Sequence, residues 1–352
     1  MKALSLFSGA GIGEYYFKEI GIDVVIANEI KTARARAHRF LYPDCEMITA
    51  DIQEQVTQDL IVEKAQKQGI KLIIATPPCQ GLSTVGSNKS EESLYTDPRN
   101  YLILSALNIV SRLKPDYFII ENVPRFQKMK FTDGEEVVSL LELLKKKYSD
   151  EYEINCEVFN AAEYSIPQTR LRVVYTMWKK GLSWAKPAKA SKMITVEEAI
   201  GNLPSLEPGE DSGIKNHIAR LHPANHIECM RYTPTGKSAF INKEHYPKKP
   251  DGSRITGYPN SYKRIRWDMP APTVTMRNEI ISSQENVHPG RDNGDGTWSD
   301  ARVLTLRELL IISSLPPDME KPDNLTDTAF RQLIGEGIPP KLMEAIMKGI
   351  GK

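Results

Sequence analysis

Residues Ala3–Glu14 read ALSLFSGAGIGE. A short apolar run that breaks into a glycine-rich turn and then into a helical pattern exposes backbone N–H groups and lets a ligand approach the main chain closely. Gly9, Gly11 and Gly13 are spaced G-x-G-x-G, and Glu14 stands where a dinucleotide turn would have its third glycine. An acidic residue there repels a pyrophosphate. The same alternation recurs downstream: DVVIA precedes KTARARAHRFL, KLIIA precedes NYLILSALNIVSRL, and DYFII precedes EVVSLLELLKKKY. This β-α-β rhythm predicts an α/β fold with a doubly wound, mainly parallel sheet. EYEINCEVF and RLRVVYTMW follow without a helix between them, as an antiparallel hairpin edge would.

From about Lys179 to Arg277 the texture changes to scattered Pro, Gly, Asn, His and Lys, which predicts a second, smaller, loop-rich domain. LTLRELLIISSL and PPKLMEAIMKGI then read as amphipathic helices, so the chain is expected to return to the first domain. The expected organisation is 1–178 for the first part of the sheet domain, 179–277 for the loop-rich module and 278–352 for the return.

Charge sharpens that division. The loop-rich segment holds 17 Lys and Arg against 9 Asp and Glu, an excess of eight positive charges, whereas the whole chain is only +1. The remainder is therefore seven charges negative. A basic module between acidic flanks suits a polyanion, because neutralised phosphates release counterions; a solvated lysine-rich surface is the plainer alternative.

At 352 residues the chain can bury at least one large core. No run approaches the roughly 20 apolar residues of a membrane span, and the first residues lack the layout of a secretory signal. A cytoplasmic protein is expected. Cys45, Cys79, Cys156 and Cys229 lie far apart and form no C-x-x-C pair, so neither a disulfide framework nor a cysteine zinc cluster is indicated. His217, His222, His226 and Cys229 match no standard zinc spacing, so no metal is expected. TPTGKSAF contains Gly-Lys-Ser, but Arg231 occupies the place of the phosphate loop's first glycine.

The candidate site residues cluster at strand ends. Glu29, after DVVIA, can accept from both hydroxyls of a ribose, and Asp51, in ITADI, can accept from an adenine amino group. With the glycine turn they fit an adenosine ligand without phosphates, of which S-adenosylmethionine is the obvious one. Tight packing of the turn and helix capping by Asp51 are the competing readings. Cys79, in ATPPCQGLS, follows KLIIA between prolines that fix its backbone. A buried cysteine is most often inert, but this one is placed where a nucleophile would be exposed at a sheet edge. Glu121, in IIENVPRF, falls on the same edge, where a carboxyl can bond a ring nitrogen or merely cap a helix. Arg170 and Arg172, in IPQTRLRVVY, fall on one strand face at period two, for oxyanion recognition or as an exposed edge.

In this order LFSGAGIGE, TPPCQGLS, ENVPRF, IPQTRLRV, LTLREL and GEGIPPKLMEAI resemble the motifs of the cytosine-5 DNA methyltransferases of bacterial restriction-modification systems. PAPTVT and VHPGR look like the junction after that family's target-recognition domain. The resemblance covers about 1–178 and 270–350, and the basic middle falls where the family keeps its DNA-reading module. The chain departs at Glu336, where the family has Asn, and at Ile311 and Ser313, where it commonly has Arg and Gln.

The resemblance implies a Rossmann-like, S-adenosylmethionine-dependent methyltransferase sheet that methylates carbon 5 of a cytosine flipped out of duplex DNA. Cys79 would attack carbon 6, Glu121 would hold ring nitrogen 3, Arg170 would hold the base's carbonyl oxygen and Arg172 would support the pocket. Phe7, Gly9, Ala10, Ile12, Glu29, Ile30, Asp51, Ile52, Pro78, Leu102, Glu336 and Ile338 would surround the cofactor. Ser83 and Arg99 would meet DNA from a loop over Ser83–Asn100. A monomer acting beside a restriction endonuclease, encoded by a bacterium or phage, is expected. A transfer-RNA cytosine methyltransferase and a non-catalytic DNA-binding relative are the alternatives. The long basic module weighs against the first, and the presence of Cys79, Glu121 and Arg170 against the second.

Overall fold

The computed structural model describes residues 1–78, 97–249, 251–323 and 325–351. Its central element is a seven-stranded sheet of β1 (Lys2–Leu6), β2 (Asp23–Asn28), β3 (Glu46–Ile48), β4 (Leu72–Ala75), β5 (Tyr117–Asn122), β8 (Tyr152–Asn160) and β9 (Leu171–Lys179), ordered β3-β2-β1-β4-β5-β9-β8. β1 to β5 are parallel, while β9 runs antiparallel to both β5 and β8. The alternating half and the hairpin edge read from the sequence are thus both present.

Every residue of β4 and β5 is buried, as expected of central strands covered on both faces. The helix Ile103–Leu113 lays Ile103, Ala106, Leu107 and Val110 against the core at helical spacing. Lys114 stops it in the left-handed region at φ 45°, just before Pro115.

Two local expectations fail. GIGEYYFKEI forms 3-10 turns at Ile12–Glu14 and Lys18–Ile20 rather than an α-helix. Gly11 enters the turn in the left-handed region and Gly21 leaves it there, and three adjacent aromatic residues sit between them. The stretch EVVS is not the start of a helix but a strand, β7 (Glu136–Ser139), paired with β6 (Lys130–Asp133) across a turn at Gly134. The β-branched valines favour the strand. The helix Leu140–Tyr148 begins only after Ser139, whose hydroxyl accepts from the Glu142 N–H while Glu142 accepts from the Ser139 N–H.

The chain divides into two compact units. The first comprises Met1–Asn160, Leu171–Ala188 and Met343–Lys352, and the second Ala161–Arg170 and Lys189–Leu342. The helices Leu306–Ile312 and Asp327–Glu336 therefore group with the loop-rich segment, and only the last ten residues group with the sheet. The division thus differs from the return at residue 278 that the sequence suggested. Its reason is polar cross-linking inside the second unit: Arg302 bonds the Leu206 carbonyl and Glu308, and Arg331 bonds the Leu304 carbonyl and Asp327.

Candidate active site

The register of the parallel strands aligns their carboxyl ends. Leu6 lies beside Asn28 and Ala75, and Ala75 lies beside Ile120. The residues that follow these strands therefore share one edge of the sheet, where open α/β sheets bind ligands. They are the turn Phe7–Gly11, Glu29, Thr76–Pro78 and Glu121.

The glycine turn is built for close approach on one side and close packing on the other. Phe7 is held at φ 59°, a left-handed conformation that costs a non-glycine residue of order 1 kcal/mol. Gly9, at φ 57°, has open space where a side chain would begin. Gly11 faces inward, where a Cβ would come within 2.4 Å of the Tyr42 ring. The Tyr42 hydroxyl donates to the Gly11 carbonyl at 2.6 Å, and burial holds that phenol well above its usual pKa. Glu14 is also turned inward: it is buried and accepts from the Ser5 hydroxyl, so it does not line the open side of the turn.

Glu29 is buried and oriented by two backbone donors, the Gly9 N–H to Oε2 at 3.0 Å and the Lys31 N–H to Oε1 at 2.7 Å. Each carboxylate oxygen retains a lone pair, so the group still fits a diol. Asp51 Oδ1 accepts from the Gln53 N–H at 2.9 Å, a turn-forming bond that leaves Oδ2 for an exocyclic amine. Ala10, Ile12 and Ile52 are buried, Pro78 and Leu102 are half-buried, and Ile30 is exposed. An open glycine, an oriented carboxylate and a second acid in the turn after β3 form a set that fits adenosine.

On β5, Glu121 is only 9% exposed and pairs with Arg172 on β9, Nε to Oε1 at 2.8 Å. The guanidinium thereby fixes the carboxyl's rotamer. The neighbouring Asn122, which the sequence reading passed over, donates to the Pro77 carbonyl at 3.0 Å and accepts from the Val123 N–H at 2.8 Å. It ties the end of β5 to the segment that leads into Cys79. Thr76 similarly donates to the Phe7 carbonyl at 3.0 Å, joining β4 to the glycine turn. An amide directly after Glu121 was the available signal for the first contact, while the second depends on register.

Arg170 and Arg172 bond different partners. Just before β9, the Arg170 carbonyl accepts from the Ala161 N–H at 3.0 Å, and the Thr169 N–H donates to the Ala271 carbonyl at 2.7 Å. Arg170 is buried in the second unit, where it donates to the carbonyls of Val274, Gly335 and Glu336 at 2.8, 3.0 and 3.2 Å. Gly335 allows this packing, since a Cβ there would come within 2.2 Å of the Thr275 carbonyl. Glu336 and Ile338 also belong to the second unit.

Arg99 pairs with Asp97, Nη2 to Oδ2 at 2.6 Å. Cys79 and Ser83, with most of the expected loop, lie outside the described residues. Among the described residues no group of three His, Cys, Asp or Glu is placed to hold a metal ion. His217, His226 and Cys229 instead bond the Pro204 carbonyl, the Tyr262 hydroxyl and the His226 carbonyl respectively. No helix among the described residues is long and apolar enough to cross a membrane.

A profile of the C-5 cytosine-specific DNA methylases matches residues 1–352. The Type II methyltransferase M1.HgaI of Avibacterium volantium is 45% identical over 347 residues, covering 99% of this chain and 97% of its own. The Type II methyltransferase M1.HphI of Haemophilus parahaemolyticus is 29% identical, covering 99% of this chain and 86% of its own. Among solved structures, a prophage-encoded E. coli protein assigned as a DNA modification methyltransferase superposes with TM-score 0.71 at 20% identity, covering 99% of this chain and 98% of its own. The Entamoeba histolytica methyltransferase EhMeth superposes with TM-score 0.63 at 16% identity, covering 99% and 96%.

Proposed function

The chain belongs to the C-5 cytosine-specific DNA methylase family, and from that premise we propose how its residues divide the work of methylating DNA cytosine. S-adenosylmethionine, the family's methyl donor, supplies an electrophilic methyl group on a sulfonium. Gly9 and the backbone of its turn admit the methionine and ribose, Glu29 accepts from the ribose hydroxyls, and Asp51 and Ile52 hold the adenine.

Carbon 5 of cytosine is a weak nucleophile and must be made enamine-like. The Cys79 thiolate adds to carbon 6 while Glu121 holds a proton at ring nitrogen 3, so that electron density moves to carbon 5. Once carbon 5 carries the methyl group, its proton leaves with a base and the thiolate is expelled from carbon 6. Arg172 keeps the Glu121 carboxyl aimed at the ring. Arg170, with its donors on backbone carbonyls, serves as a positioning residue rather than as the holder of the base's oxygen. A stacked base cannot reach these groups, so the target must leave the helix at a cost of a few kcal/mol.

The observation that carries this division is the Glu121–Arg172 pair, on the same sheet edge as the open glycine turn and the segment leading to Cys79. The basic module from Lys179 to Arg277 reads the duplex, with Ser83 and Arg99 meeting DNA beside the target. The protein works as a monomer and protects DNA from a companion endonuclease. Labelled S-adenosylmethionine tests the reading: label should pass to duplex DNA and stop with Cys79→Ala, whereas label passing only to transfer RNA would establish the alternative.

A further inference from the structure

Within the second unit, nine Lys and Arg between Arg231 and Arg266 face only two Asp and Glu, yet these cations are not equivalent. Arg264 is fully buried on the carbonyls of Met230, His288 and Asp300. Lys263 pairs with Glu285, and Arg266 with Asp268. Lys243, Lys248, Lys249 and Arg254 are exposed and have no carboxylate partner among the described residues.

The last three sit on one tight loop. It is closed by the Ile255 N–H to the Pro247 carbonyl and the Lys249 N–H to the Ser253 carbonyl, both at 2.8 Å, and its turn residue Gly252 lies at φ 82°. Asp251 is engaged locally by the Ser253 N–H at 2.9 Å and hydroxyl at 2.6 Å. The Arg254 guanidinium lies over the Tyr246 ring, 4.6 Å from its centroid. Its Nη2 donates to the carbonyls of Phe240 and Asn242. Asn242 is itself anchored, its Nδ2 lying 3.1 Å from the Cys229 carbonyl and 3.0 Å from the Thr233 hydroxyl. Arg254 is thus an exposed cation that has already surrendered its rotamer freedom, with Nε and Nη1 carrying no hydrogen bond among the described residues.

Ordering an arginine before contact is worthwhile where geometry must discriminate, because less entropy is lost on binding. Phosphate can be met by a lysine's point charge, which the neighbouring lysines supply. A donor-only group is matched best by the edge richest in acceptors, and among the major-groove edges guanine's alone has two and no donor, O6 and N7, against thymine's single O4. We propose that Arg254, stacked on Tyr246, reads a guanine in the target sequence, and that Lys243, Lys248 and Lys249 contact flanking phosphates. This rests on the reading of Lys179–Arg277 as the recognition module.

The test is methylation of a DNA pool randomised around one cytosine, read by bisulfite sequencing. Arg254→Ala should lose about 10- to 100-fold discrimination at one position, a guanine, and keep the rest of the motif. Arg254→Lys, which keeps the charge but not the planar stack, should relax the same position. Lys248→Ala with Lys249→Ala should weaken all sequences alike and flatten the salt dependence. Thermal melts matching wild type certify folding. An unchanged motif in Arg254→Ala, or an equal loss at every sequence, overturns the proposal. If other exposed alanine variants in 179–277 change the motif while Arg254→Ala does not, the Arg254 role falls and the module assignment stands. If none does, both fall.

Discussion

The two compact units hold themselves together by opposite means. In the first, parallel strands satisfy their own backbone groups, so the core is apolar: Leu4, Ile26, Ile73, Phe118 and Tyr175 pack with almost no exposure. In the second, the described chain is mostly turns, short helices and isolated bridges, and its carbonyls must find donors elsewhere. Three fully buried arginines supply them. Arg264 spans three carbonyls, Arg302 bonds two carbonyls with Asp300 and Glu308, and Arg331 bonds the Leu304 carbonyl with Asp327. A regular sheet presents chemistry from fixed strand ends. An arginine-stapled loop module fixes its interior through side chains.

The largest expected effect separates chemistry from stability. Glu121→Gln should lower the methylation rate by about 10²- to 10⁴-fold, as loss of a general acid does, with an unchanged melting temperature; single-turnover methyl transfer checks it. If the melt falls with the rate, Glu121 is a structural partner of Arg172. Arg302→Met should destabilise the second unit by about 3–5 kcal/mol, because two carboxylates are left buried and unpaired. Denaturant unfolding would show it, and a loss below 1 kcal/mol would break the comparison. Ile73→Ala, in the sheet core, should cost about 2–5 kcal/mol, with no dependence on salt or pH.

Acid should distinguish the units next. Burial and Arg302 press His288 down to about 4, and burial presses His222 down to about 4. Burial alone would raise Glu308, but Arg302 and His288 outweigh it and hold it at about 2. Asp300 is held well below the ordinary range in the same way, by His288 and Arg302 against burial. All four pKa values are lower folded than unfolded, so the unfolded chain binds more protons at acid pH and stability falls as pH falls. The histidines act between about 6.5 and 4, and Glu308 between about 4.5 and 2. With Trp178 and Trp184 replaced by Phe, Trp267 and Trp298 fluorescence should report loss of the second unit before far-ultraviolet dichroism reports loss of the sheet. Coincident transitions would contradict this.

Much of the first unit was legible because its signals are local. Apolar runs ending in glycine, acid or Pro-Pro-Cys mark strand ends, and parallel register gathers those ends on one edge. What escaped depends on which partners the fold supplies. Arg170 and Arg172 lie two residues apart, yet Arg170 donates to the carbonyls of Val274, Gly335 and Glu336 while Arg172 pairs with Glu121, and spacing alone does not tell those partners apart. Asn122 gained a role only once β5 lay beside β4. The buried arginines were the least legible. In sequence Arg264, Arg302 and Arg331 resemble any other cations, and part of the basic excess that suggested DNA contact lies inside the second unit. That leaves the exposed, unpaired set on the Tyr246 loop as the sharper guide to its surface.

The central claim is tested most directly by bisulfite sequencing of plasmid DNA from cells expressing either wild type or Cys79→Ala. Wild type should protect a cytosine at every copy of one recurrent sequence, and Cys79→Ala should protect none. Protection that survives in Cys79→Ala, or that is absent from wild type, would contradict the account.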